Sequence, residues 1–257
     1  MLAGPPRRVV SLVPSLTEAV AATTAELLVG VTDYCTHPAD LAVPRVGGTK
    51  YPDLGRVLAA VPDLVLANAE ENRREDVAAL RAAGVPVWVT FPRTLDDALV
   101  SLARMLDRLG VTEPPWLAAA RTAWAGLPAA SGSSGCASPG VRRAVVPVWR
   151  RPWVVLGSAT FAGDLLTRLG VRNCYADAAE RYPRPPLAEL AARRPDLVVL
   201  PDEPYLFTAE DGPEAFPGIP CALVSGRHLT WYGPSLAEAP ALLAAQLATT
   251  VIAPSGG

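Results

Sequence analysis

Lysine is almost missing from this chain. Lys50 is the only one in 257 residues, and arginine supplies the rest of the 23 basic side chains. Against 25 acidic residues the formal net charge is -2, so the strong basic excess that binding a phosphate backbone requires is absent. A near-neutral balance with half the residues apolar also excludes an acidic disordered chain. No uninterrupted apolar run approaches the ~20 residues of a membrane helix. Histidine is scarce, with His37 and His228 alone, and a bare metal held by histidine and carboxylate would usually want more. The four cysteines, 35, 136, 174 and 221, have no CxxC spacing, which argues against a structural zinc site. Two buried free thiols are expected in preference to a Cys174–Cys221 bridge. Also lacking are GxGxxG after a strand, GxxxxGK[ST], HExxH and GxSxG, so no nucleotide, zinc-protease or serine-hydrolase signature is present. The 27 prolines and 20 glycines follow no period, which excludes a collagen-like chain.

What the chain does have is an internal repeat. Residues 52–61 lead into Pro62-Asp63-Leu64-Val65-Leu66-Ala67-Asn68, and residues 186–194 lead into Pro195-Asp196-Leu197-Val198-Val199-Leu200. Each unit then carries an acidic stretch, Glu70-Glu71 with Glu75-Asp76 and Asp202-Glu203 with Glu210-Asp211. Each closes on glycine, an aliphatic residue and proline, Gly84-Val85-Pro86 and Gly218-Ile219-Pro220.

The unit reads as helix, strand, helix, strand. A helix over 54–61 ends before proline, which disfavours helix at the residue before it. Residues 64–67 suit a strand buried on both faces. Val77, Leu80 and Ala83 have helical spacing, with Gly84 at the C-cap, and 85–89 is the next strand. Earlier come a strand over 9–13, a helix from Ser15 or Thr17 with Glu18 in its first turn, and a strand over 29–32. In the second half, strands are expected at 144–148 and 153–156, and a helix at 160–169 ending at Gly170. Strands joined by helices imply parallel sheets. The fold class is therefore α/β, two doubly wound Rossmann-like lobes with a helical connector. The expected divisions are an N-terminal lobe at 1–93, a connector with a flexible Ser/Gly loop at 94–140, and a C-terminal lobe at 141–257. Thr94 would cap a connector helix bearing Leu95, Leu99, Leu102, Met105, Leu106 and Leu109 on one face. Pro114 and Pro115 would open a second.

Aromatic and polar residues cluster at the expected strand ends: Tyr34, Lys50, Tyr51, Trp149, Arg150, Arg151, Trp153, Phe161, Tyr182, Tyr205, Phe207, Trp231 and Tyr232. Ligands of doubly wound sheets sit outside the carboxyl ends of the strands. Aromatic faces suit a large flat ligand, and arginines suit its oxygens. Any one of these rings alone reads as core packing; it is their company of Gly, Pro and charge in loops that marks them. His37 and His228 lie in loops and are only weak metal candidates.

The stretches Arg8–Glu18, Leu28–Thr32, Pro44–Gly48 and Pro62–Ala67 resemble the helical-backbone (class III, vitamin B12-binding-protein-like) substrate-binding proteins of bacterial ABC importers. Trp149-Arg150, Glu203-Pro204-Tyr205 and Thr230-Trp231-Tyr232-Gly233 resemble the branch that receives cobalamin and other metal chelates. The resemblance implies a non-enzymatic receptor, a rigid helical hinge and a ligand cleft between the lobes. It implies a corrinoid, haem or siderophore as ligand and no catalytic cofactor. Carried onto this chain, the ligand-binding residues are Pro14, Ser15, Tyr34, Lys50, Tyr51, Glu70, Trp149, Arg150, Trp153, Phe161, Tyr182, Tyr205, Trp231 and Tyr232. Glu71 or Glu75 in the first lobe and Glu189 in the second are implied to dock on a permease. A monomer is expected, with no nucleic-acid partner and no transmembrane segment. Where many relatives carry an arginine after the Trp231–Pro234 motif, this chain has Ser235. The family is usually exported, whereas Met1–Arg8 reads as neither signal peptide nor lipobox, so a cytoplasmic carrier or sensor is the alternative. A cluster-bearing or metal-insertion enzyme of the same two-lobe plan is a further alternative, but it would need several cysteine ligands at one place.

Overall fold

The computed structural model describes residues 4–127 and 141–254. The expected Ser131–Gly140 loop, and Cys136 within it, lie outside the described residues. The chain forms two compact units, one of Met1–Pro92, Asp96–Arg121 and Tyr232–Pro234, the other of Arg93–Leu95, Thr122–Trp231 and Ser235–Gly257.

The first unit is built on four parallel strands, β1 (Val9–Ser11), β2 (Leu28–Val31), β3 (Leu64–Asn68) and β4 (Val87–Thr90), in the order β2-β1-β3-β4. All five residues of β3 are buried, as a central parallel strand requires. Helices α1 (Pro14–Thr24), α2 (Leu54–Ala59) and α3 (Arg74–Ala82) form the connections. Because Pro14 takes the first helical position, β1 stops at Ser11, short of the expected Val13. Glu18 thus falls beyond the first turn of α1, where it is buried. Asp53 caps α2 by accepting the Arg56 N–H. Gly84 closes α3 with φ +82, and the Val85 N–H returns to the Leu80 carbonyl. Val10, Leu12, Val46, Val57, Val65 and Leu80 make the core.

The second unit repeats this order. Its parallel sheet runs β10-β9-β5-β8, from β5 (Arg142–Val145), β8 (Val171–Asn173), β9 (Leu197–Pro201) and β10 (Cys221–Val224). Read from the other edge, β8, β5, β9 and β10 stand where β2, β1, β3 and β4 stand in the first sheet. The expected strand over 144–148 is divided: β5 ends at Val145, and Pro147 opens a separate antiparallel pair, β6 (Pro147–Trp149) with β7 (Val154–Val155). Proline has no N–H for a central ladder, which accounts for the break. Helices α6 (Phe161–Arg168), α7 (Leu187–Ala192), α8 (Gly226–Thr230) and α9 (Ala239–Ala248) complete the unit. Thr160 caps α6 by accepting the Gly163 N–H. Cys174 and Cys221 are free thiols; Cys221 is buried and Cys174 half-buried.

Between the two sheets in sequence lie α4 (Leu95–Arg108) and α5 (Pro115–Ala125). The expected apolar stripe of α4 is buried from Leu95 to Leu106, and Leu109 follows it. The division between units falls inside both helices, at Leu95/Asp96 and Arg121/Thr122. No described helix is long and apolar enough to cross a membrane.

The repeated Pro-Asp-Leu has one physical use in both units. The Asp63 carboxylate accepts the N–H groups of Arg7 and Arg8 at 2.8 and 3.0 Å, and the Asp63 N–H returns to the Arg8 carbonyl. The Arg8 guanidinium meanwhile donates to the carbonyls of Ala60 and Val61. In the second unit the Asp196 carboxylate accepts the Arg143 N–H at 2.8 Å, and the Asp196 N–H returns to the Arg143 carbonyl. The Arg143 guanidinium donates to the carbonyls of Arg193 and Arg194. Val61 and Arg194, the residues before the two prolines, share a positive φ of 45 and 48. Charge-assisted hydrogen bonds are stronger than neutral ones. Asp63→Ala is expected to lower stability by about 2 kcal/mol, and Asp196→Ala, more exposed and with one amide fewer, by about 1 kcal/mol; urea unfolding of each variant checks this.

Candidate ligand-binding site

In the first unit the carboxyl ends of β1, β3 and β4 are joined by buried polar side chains. The Asn68 side-chain oxygen Oδ1 accepts the N–H groups of Glu70 (2.6 Å) and Glu71 (3.3 Å), which turns the chain sharply after β3. Asn72 accepts the Asn68 N–H at 2.8 Å and donates to the carbonyls of Leu12 and Thr49. The Tyr232 hydroxyl accepts from Asn68 Nδ2 at 2.5 Å and meets Thr90 Oγ1 at 2.9 Å. Burial pushes the Tyr232 phenol well above its ordinary value, and the Glu71 charge adds to this. Next to it Gly233 is pressed onto α1: a Cβ there would stand 2.9 Å from the Ser15 carbonyl oxygen. Sequence reasoning missed Asn68, Asn72 and Thr90. The available signal was an amide closing the otherwise apolar run of β3.

Around this buried network lie the exposed residues of the first unit. Tyr34 and Tyr51 are 65% and 70% exposed. The Arg73 guanidinium lies 4.8 Å from the centroid of the Tyr51 ring. Lys50 Nζ donates to the Glu70 carbonyl at 3.0 Å. Pro14 is half-buried at the start of α1. Ser15, by contrast, is buried.

The second unit has aromatic rings at the same end of its sheet. Trp149 is 45% exposed and meets Tyr205 edge-on, with centroids 5.6 Å apart. Tyr205 packs on Phe207 at 4.6 Å, Phe207 stacks on Trp153 at 6.2 Å, and Trp153 meets Phe216 at 5.4 Å. Arg150 lies over the Trp153 ring and pairs with Asp211 and Glu214. The Tyr205 hydroxyl donates to the other Asp211 oxygen at 2.6 Å. The Trp231 indole N–H donates to Glu203 at 3.1 Å. Gly226 is forced: a Cβ there would come within 2.7 Å of the Glu203 backbone. Tyr182 is 40% exposed. Phe207, which the sequence reading also placed at a strand end, is buried; Phe216, Asp211 and Glu214 are further members that sequence reasoning did not single out.

Four of the expected ligand residues are thus buried within their own units: Ser15, Phe161, Trp231 and Tyr232. The reason is the same for each of the last two, whose polar atoms are consumed by partners distant in sequence, Glu203 and Asn68. Trp153 is half-buried in the ring cluster. Of the expected docking residues, Glu75 is exposed in the first turn of α3 and Glu71 is half-buried. Glu189 accepts from Tyr175 and from Arg193 of its own helix end, and burial together with Glu189 raises the Tyr175 phenol to about 12. His37 pairs with Thr36 in a loop, and His228 is buried against Ser225, with Glu238 3.8 Å away. Among the described residues no group of three or more His, Cys, Asp or Glu is placed to hold a metal ion.

No family model matches the chain. It is 26% identical over 97% of its length to the vitamin B12-binding protein of Pectobacterium atrosepticum, covering 91% of that protein. It is 25% identical to the vitamin B12-binding protein of Pectobacterium carotovorum subsp. carotovorum, over 77% of this chain and 72% of that one. Among solved structures it superposes on the periplasmic vitamin B12 binding protein BtuF of Vibrio cholerae with a TM-score of 0.71 at 18% identity, covering 95% of this chain and 97% of that one. A periplasmic heme binding protein from Pseudomonas aeruginosa gives 0.71 at 24% identity, over 96% of each chain. The resemblance read from the motifs is borne out: the fold is the two-lobe α/β fold of the class III periplasmic binding proteins.

The Arg150 clamp carries a pH signature. The hydrogen bond from Tyr205, with the charges of Arg150 and Arg151, holds the Asp211 carboxyl below its ordinary 3.8. A carboxylate of depressed pKa contributes fully above its unfolded value and loses that contribution as pH falls through its folded value. Tryptophan emission is therefore expected to be constant from neutrality to about pH 5 and to change below about pH 4, with the change diminished in Asp211→Asn. Tyr232→Phe, which strips the hydroxyl from Asn68 and Thr90, is expected to cost about 1.5 kcal/mol in denaturant unfolding.

Proposed function

From that likeness we propose that this chain is a substrate-binding protein, not an enzyme, that captures a corrinoid or another large metal chelate for an ABC importer. The observation that carries the reading is sequence similarity along nearly the whole chain to proteins named for vitamin B12, on a matching two-lobe fold. The metal arrives inside its chelate, so the protein need supply no ligand set of its own. Its tasks are then to cover the flat face of the ligand and to satisfy the polar rim.

For the cover we propose rings at the carboxyl ends of the sheets: the exposed Tyr34 and Tyr51 in the first unit, and the exposed Trp149 and Tyr182 with the half-buried Tyr205 in the second. Aromatic side chains contribute large contact area at low entropic cost. Lys50, Glu70 and Pro14 would meet the rim. The buried Tyr232 and Trp231 act as positioning residues that hold the loops bearing these rings. For docking to a permease we propose Glu71 and Glu75 in the first unit and Glu189 in the second. Glu189 already pairs with Arg193, so docking there exchanges one arginine for another.

Calorimetric titration of the purified chain with cyanocobalamin, haem and a panel of ferric siderophores tests the reading. Micromolar or tighter binding of at least one is expected, and mass spectrometry of small molecules released from the protein should identify the same class. Absence of micromolar binding across the whole panel would overturn the assignment.

A further inference from the structure

The groups around the Trp149–Tyr205 pair, in which Trp149 is exposed and Tyr205 half-buried, also bear on ligand charge. Arg150 follows Trp149 in sequence, yet its side chain is only 14% exposed. One terminal nitrogen pairs with Asp211 and the other with Glu214, and its guanidinium plane lies 5.3 Å from the Trp153 centroid. The carboxylates are committed as well. The second oxygen of Asp211 takes the Tyr205 hydroxyl, and the second oxygen of Glu214 takes the Gly212 N–H at 2.5 Å. Arg151, the next residue, adds one positive charge, so Arg150, Arg151, Asp211 and Glu214 sum to zero. An anionic rim group reaching for Arg150 would have to displace a carboxylate and would meet that carboxylate's charge on arrival. Like charges brought together in a partly dry site are strongly disfavoured.

The first unit, taken by itself, spends its cations in the same manner. Arg73 is bidentate to Asp76 at 2.9 and 2.7 Å while it lies over Tyr51. Arg45 donates to the carbonyls of Thr32 and Cys35. Lys50 donates to the Glu70 carbonyl, at a loop that also carries the Glu70 and Glu71 carboxylates. Rings are left exposed, whereas the guanidinium groups of Arg45, Arg73 and Arg150 are already satisfied.

We propose that this protein selects chelates whose periphery is uncharged or cationic, such as an amide-rimmed corrin, and discriminates against polyanionic ones, such as a haem with its two propionates or a ferric tris-catecholate. The selection rests on the binding reading above and deepens it. The apolar faces of all these chelates would stack on the same rings, so discrimination comes from the rim. There, a carboxylate or catecholate must displace Asp211 or Glu214 to reach Arg150, a cost that amides and ammonium groups do not meet.

Quenching of tryptophan emission in the full chain by four probes tests this: cyanocobalamin, neutral overall; ferrioxamine B, singly positive; hemin; and ferric enterobactin, triply negative. At least one of the first two is expected to bind roughly tenfold or more tightly than either anion. Equal or tighter binding of hemin or ferric enterobactin overturns the selection and leaves the receptor reading standing. No binding of any probe overturns both. In the double variant Asp211→Asn, Glu214→Gln, which releases Arg150, the ratio of cyanocobalamin to hemin affinity is expected to fall about tenfold. Glu214→Gln alone, which keeps the Arg150–Asp211 pair, is expected to lower the ratio about threefold and serves if the double variant does not fold. An unchanged ratio in a folded variant overturns the role of the clamp.

Discussion

The central constraint in each unit is an aspartate that holds the two middle strands of the sheet together at their amino ends. Asp63 grips the backbone before β1, and Asp196 grips the second residue of β5. Each also returns its own N–H to the backbone it grips, which ties the register of β1–β3 and β5–β9 at their amino ends. The side-chain period of a strand is two, and a slip of one residue would send every inward side chain outward. Fixing the amino ends therefore also fixes which residues emerge at the carboxyl ends, where the order β2-β1-β3-β4 and its sister reverse direction.

At those carboxyl ends the sister units diverge. The first closes its sheet with neutral amides and hydroxyls, Asn68, Asn72, Thr90 and Tyr232, in a buried network that sets loop shape. The second closes with rings held in place by an ion cluster, Arg150 with Asp211 and Glu214. Both solutions leave aromatic faces exposed and spend charge on the protein itself. The two sister scaffolds thus present two unlike surfaces.

Much of the fold was legible because its signals are local. Pro62, Gly84, Pro195 and Gly170 punctuate elements within a few residues, and the α4 stripe is a periodicity of one helix. The errors were local too. Pro14 was read past the end of a strand it in fact closes by opening α1, and Pro147 was read through, where it divides β5 from β6. The site was less legible. Trp149, Trp153 and Trp231 look alike in a loop, yet they are exposed, half-buried and buried respectively. Tyr232 finds its partner Asn68 164 positions away, and no local pattern announces such a pair.

The sequence by itself determined the repeated strand-and-helix unit, the parallel sheets and the family resemblance, because proline, glycine and apolar spacing act on the backbone over a turn or two. Only the tertiary structure decided which rings stay in water and which cations are already neutralised. Burial and pairing are properties of a neighbourhood, and the neighbours of Arg150 and Tyr232 come from distant parts of the chain.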